Sequence, residues 1–147
     1  MQHKRLEHRF VERIPESLDI GVLYVSLNYA TAAHLCCCGC GEEVVTPFTP
    51  TDWAMTFDGE AVSLRPSIGN WTLECRSHYL VHHGRVIAAG TWTDREIAAE
   101  RRRDSRAKAQ YYQSRSQDAG PDQLVAAEAG PTRHRFWHHV RRWVGFN

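Results

Sequence analysis

Trp53-Ala-Met-Thr-Phe57, Asp58-Gly59 and Glu60-Ala-Val-Ser-Leu64 read as two alternating runs joined by an Asp-Gly pair. Such a pair suits a two-residue type I′ turn, which needs positive φ at both central positions, so the segment predicts a β-hairpin. Similar signs recur on both sides of it. Tyr79–His82 and Arg85–Ala88 flank His83-Gly84, a weaker turn pair, and predict a second hairpin. Upstream, Gly21-Val-Leu-Tyr-Val-Ser-Leu27 is an apolar run of strand length rich in β-formers. Arg9–Ile14 alternates in part before Pro15 stops it, and Ala30–Leu35 and Glu43–Thr46 read as strands entering and leaving a cysteine-rich loop. Short strands at this spacing predict a mainly β (α+β) fold, a small sandwich or sheet assembly rather than a βαβ unit.

The pattern changes after Trp92. Thr93 and Glu96 have capping-box spacing, and Asp94 and Glu96 suit the positive end of a helix dipole. A basic helix is therefore expected over 93–115, from Asp94 to about Gln113, carrying Arg101-Arg-Arg103. Gly120-Pro121 and Gly130-Pro131 mark 116–132 as a flexible linker. Over 133–147, Phe136, Trp137, Val140, Trp143 and Val144 fall at helical spacing among basic residues, which predicts an amphipathic basic C-terminal helix. The organisation is a β domain over 1–92 followed by a helical extension.

Charge follows the same division. Residues 1–92 carry ten acids against seven Lys/Arg, and 93–147 carry seven against eleven, for a net charge of +1 over the chain. Charged helix faces are ordinarily just solvated, so neither nucleic acid nor a membrane surface is expected as a partner. The first residues hold no apolar run suited to a signal peptide, and no stretch is apolar enough to span a bilayer. With an odd count of five cysteines, mostly clustered, a reducing cytoplasm is the expected compartment.

Four cysteines crowd into His34-Leu-Cys-Cys-Cys-Gly-Cys-Gly41, and the fifth sits in Cys75-Arg-Ser-His78. Free cysteine is often a small buried hydrophobe, but four in five consecutive positions cannot all face one core. Thiolates at this density, with glycines to turn the backbone, point to a soft divalent ion, zinc. Two ligand sets are open. Cys37 and Cys40 fit a knuckle followed by Gly41, while Cys36, Cys38 and Cys40 would share one face of an extended segment. Cys75 and His78 can supply the rest, and tetrahedral zinc needs four, so at least one candidate is spare. A cysteine-rich shell favours a structural ion, and this β domain is expected to be stapled by it.

Arg65-Pro-Ser-Ile-Gly-Asn-Trp71 carries a different chemistry. Pro66 and Gly69 predict a tight turn presenting Ser67 and Asn70 just ahead of the Cys75/His78 segment. A constrained serine, a histidine base (His34 or His78) and Asn70 as polar stabiliser would form a nucleophilic site. Turn capping explains Ser67 and Asn70 equally simply.

His34–Gly41, Asp52-Trp53, Phe57–Glu60, Val62–Leu64, Pro66–Trp71 and Cys75–Tyr79 together are similar to a bacterial family of small cysteine-rich proteins. Those proteins are encoded beside ubiquitin-like conjugation genes, with activating-enzyme-like and conjugating-enzyme-like neighbours, in antiphage defence settings. The likeness covers roughly residues 9 to 92. It implies a peptidase or isopeptidase that processes or removes a ubiquitin-like modifier, with that modifier and its conjugation enzymes as partners. Carried over, it implies a metal site of Cys36, Cys38 and Cys40 with Cys75 or His78, and leaves Cys37 spare. It further implies Ser67 with a histidine as the reactive pair, and with the residue reading above this gives Ser67, His34 and Asn70 as the expected catalytic residues. A catalytic zinc, or a zinc-binding adaptor without turnover, are the alternatives.

Overall fold

A computed structural model describes residues 1–118. The terminal helix expected over 133–147, and the linker from 119 onward, lie outside the described residues. The chain divides into two units, Met1–Ala109 and Gln110–Asn147. Of the second unit, only the helical residues through Asp118 are described.

Eight strands form two four-stranded sheets, and one helix follows among the described residues. The first sheet runs β1 (Glu7–Phe10), β2 (Val22–Ser26), β3 (Thr31–Leu35) and β4 (Glu43–Pro47), with β1 parallel to β2 and the rest antiparallel. β2 is buried along its whole length, as its continuous apolar run demands, whereas β4 alternates with Val44 and Thr46 inward. The first strand lies earlier than Arg9–Ile14. Glu12's carbonyl accepts from Ser26 Oγ at 2.6 Å, a side-chain bond in place of a ladder bond.

The second sheet is an antiparallel meander of β5 (Ala54–Phe57), β6 (Val62–Gly69), β7 (His78–His82) and β8 (Arg85–Ala88). His82 pairs with Arg85, so His83-Gly84 forms a two-residue turn with both φ angles positive. The β5–β6 hairpin differs from the expected two-residue turn. Phe57 pairs with Val62, leaving Asp58–Ala61 as the loop, because Asp58 Oδ1 accepts from the amides of Glu60 and Ala61 at 2.9 and 2.8 Å. Lys4–Leu6 joins the two sheets: Leu6 N donates to Gly84 O and Val86 N to Lys4 O. Between them a single core draws on both, including Leu23, Val25, Leu64, Ile68, Tyr79 and Val81. Full burial of each of the aliphatic side chains among these contributes about 1.5–3 kcal/mol.

Helix α1 covers Asp94–Asp118. Thr93 N and Oγ1 donate to Glu96 Oε2, closing a capping box at its start. It extends beyond the expected end, and Ser114 and Ser116 there return their hydroxyls to the carbonyls of Tyr111 and Tyr112. Ile97 is its one buried apolar residue among those described. Polar contacts supply the rest of its anchorage: Arg76 to Asp94, and Lys108 Nζ to Asp52 Oδ1 at 2.6 Å. None of the described helices is long and apolar enough to cross a membrane.

The Lys108–Asp52 pair is half-buried, so its net worth is modest. Asp52→Asn is expected to lower unfolding free energy by about 1 kcal/mol at neutral pH in denaturant titrations. Lys108, then Thr49, hold the Asp52 carboxyl below its ordinary 3.8. A depressed carboxyl stabilises the fold above its unfolded-state value and loses that effect as pH falls through the folded-state one. The gap between wild type and variant should therefore persist above pH 3.8 and close on further acidification. A gap that widens in acid rules the linkage out.

Candidate active site

Pro66 has no N–H to give the sheet ladder, and β6 is irregular around it. Leu64 pairs with Val81 and Ile68 with Tyr79, so β6 uses four residues where β7 uses two. The segment read as a tight turn is thus a bulged strand, and the turn comes later, with Asn70 N bonded to Ser77 O. The bulge brings Ser67 Oγ to 2.9 Å from His78 Nε2. His78 Nδ1 lies 2.8 Å from the carbonyl oxygen of Gly90. A carbonyl only accepts, so Nδ1 carries the proton and Nε2 is left to accept the Ser67 hydroxyl.

Aromatic rings fix this histidine further. Its ring centroid lies 5.0 Å from Trp71 and 5.2 Å from Trp92, and the two tryptophans stack at 5.5 Å. Gly69 makes room for them: a Cβ there would lie 2.4 Å from Trp71 Nε1. A cavity of about 210 Å³ opens at Ser67, walled by Trp53, Pro66 and Trp71 on one side and by Ile97, Arg101 and Asp104 of α1 on the other.

Elsewhere in the domain, the loop after β3 meets the turn before β7. The sulfurs of Cys36, Cys38, Cys40 and Cys75 all lie within 4.8 Å of one another. Cys36 Sγ is 3.4 Å from Cys38 Sγ and 3.9 Å from Cys75 Sγ. Four sulfurs at about 2.3 Å around a tetrahedral ion would stand about 3.8 Å apart, so the four thiols fit a metal such as zinc. Cys36 N donates to Glu42 O and Gly39 N to Cys36 O, and Gly39 at φ 93° lets the loop double back. Cys37 lies outside the cluster, in the core, and burial pushes its thiol up to about 12.

The structure separates the two candidate bases, His34 and His78, and sets Asn70 against the cysteine cluster. His78 stands apart from the cysteine cluster and on Ser67. His34, the expected base, is fully buried and bonds Tyr79 Oη through Nε2 at 2.8 Å; burial lowers it to about 4, leaving it neutral at physiological pH. Asn70 supports the cysteines: its Nδ2 donates to Ser77 Oγ at 2.8 Å, Tyr79 Oη at 3.4 Å and Cys36 Sγ at 3.6 Å. Sequence reading missed Gly90, Trp92 and Ser77. A backbone carbonyl leaves no residue-type signature, and Trp92 was visible only as the residue preceding a helix cap.

A serine hydroxyl on a histidine whose tautomer is fixed from behind is the arrangement of a serine hydrolase. Residues 10–89, just over half of the chain, match the model of the bacterial ubiquitination-like system serine protease (BubE) family, and the chain belongs to that family. No curated protein and no solved structure matches it.

The cluster predicts one metal ion per chain. Cys38→Ala and Cys75→Ala should each lose it by elemental analysis, while Cys37→Ala keeps it. Full metal content in Cys75→Ala, or none in Cys37→Ala, would sink the ligand assignment.

Proposed function

We propose that this chain is a peptidase or isopeptidase that cleaves at the C-terminal end of a ubiquitin-like modifier, maturing it or releasing it from conjugates. The Ser67–His78–Gly90 relay carries the reading, with its 2.9 and 2.8 Å contacts. Ser67 Oγ attacks the scissile carbonyl while His78 Nε2 takes its proton. The resulting imidazolium keeps its Nδ1–H on Gly90 O and gives the Nε2 proton to the leaving amine. An acyl ester on Ser67 remains. Water, deprotonated by the same nitrogen, attacks that ester, and Ser67 recovers its proton as the carboxylate leaves. A main-chain carbonyl orients the ring as a carboxylate would, but contributes a dipole in place of a full charge.

Zinc is the metal that four cysteine sulfurs fit best, and four protein ligands fill its tetrahedral shell. When bound, it supplies a covalent-strength clamp rather than an activated water. Cys75 lies three residues before His78, and Ser77 Oγ sits 3.1 Å from Cys36 Sγ, so that clamp would hold the start of β7. The modifier, its conjugation enzymes and an antiphage, cytoplasmic setting go with this reading.

A modifier carrying a C-terminal extension is the substrate that tests it. Ser67→Ala should abolish cleavage, and His78→Asn should lower kcat/KM by about 10³-fold or more while metal content stays at the wild-type value. Wild-type cleavage by Ser67→Ala, or metal lost together with activity in His78→Asn, contradicts these roles.

A further inference from the structure

A second, open cleft of about 640 Å³ adjoins the cavity at Ser67. Pro66 and Asp52 line both; Ser67 opens on the first and Arg65 on the second, so together they make one groove past the hydroxyl. The cavity at Ser67 is small, and a protein chain entering it must continue somewhere. In the second cleft Pro50 and the half-buried Leu80 give apolar lining, and Arg65 and His82 stand exposed beside it. Asp52 does not oppose them, because Lys108 at 2.6 Å and Thr49 Oγ1 at 2.5 Å already engage its carboxylate. Among the described residues Arg65 has neither an ion pair nor a side-chain hydrogen bond, so its guanidinium is available to a ligand.

We infer that this cleft holds the substrate chain on one side of the scissile bond, as an extended segment whose acidic side chain is taken by Arg65. The inference rests on Ser67 being the nucleophile. An arginine suits the role because its planar fork matches a carboxylate's two oxygens. The apolar lining would take the neighbouring side chain, and the charge match would select the sequence beside the cleaved bond.

Protection of the full chain from a fluorophosphonate, which needs Ser67 activated by His78 but no peptide substrate, provides the test. Two octapeptides, acetylated and amidated to remove terminal charge, share an apolar frame and differ in carrying Glu or Lys. The Glu peptide should protect at about fivefold lower concentration, the size of one partly exposed ion pair. That ratio should vanish in Arg65→Gln, reverse in Arg65→Glu, and shrink between about 0.05 and 0.5 M salt. Equal protection by both peptides, no protection by either, or a Glu preference surviving in Arg65→Glu overturns the groove. Labelling that persists in Ser67→Ala refutes the nucleophile itself, and the groove falls with it. Ser67-dependent labelling with charge-blind protection refutes the groove alone.

Discussion

Four cysteine sulfurs converge within 4.8 Å, and a metal ion held among them would be the constraint on which this domain hangs. Three come from the loop that closes β3 and one from the turn that opens β7, so an ion bound there would tie one sheet to the other at a point where strand pairing does not. Polar groups are built around it. Ser77 Oγ touches Cys36 and Cys75, and Asn70 Nδ2 reaches both Ser77 and Cys36. A buried amide and hydroxyl of this kind are costly without partners, and the thiols give them partners.

His78 follows directly from Ser77, so whatever fixes the cluster fixes the first residue of β7. The opposing strand then has to deliver a hydroxyl to that ring. Pro66 breaks the ladder, the bulge takes up the surplus residues of β6, and Ser67 arrives at hydrogen-bond distance. Rigidity comes from around the ring: a carbonyl on its Nδ1 and the stacked pair Trp71 and Trp92 against it. On the proposed reading, precise placement of His78 is a large part of what such a site would contribute to rate.

α1 stands in a different relation to the site. It begins after the family-matching span ends at residue 89, yet Ile97, Arg101 and Asp104 wall the cavity at Ser67. One buried isoleucine and two ion pairs anchor it, an attachment sensitive to charge and weak beside the apolar core of the sheets.

Local chemistry made much of this legible from sequence. Turn pairs and alternation marked the strands, because a turn's φ requirement and a strand's two-residue period are written in adjacent residues. His83-Gly84 behaves as read; Asp58-Gly59 does not, since the Asp58 carboxylate captures two amides and lengthens the loop. The density of thiols announced a metal centre for the same local reason, and Ser67 stood out by its constrained neighbours. The sequence alone thus determined a β domain, a cysteine cluster and a candidate serine. Only the tertiary structure decided which histidine meets that serine. His34 and His78 are each within a few residues of a cysteine, so proximity along the chain cannot separate them. Strand pairing does: β3 turns His34 into the core against Tyr79, while the β6 bulge sets Ser67 against His78, a contact between residues whose pairing depends on the whole sheet's register.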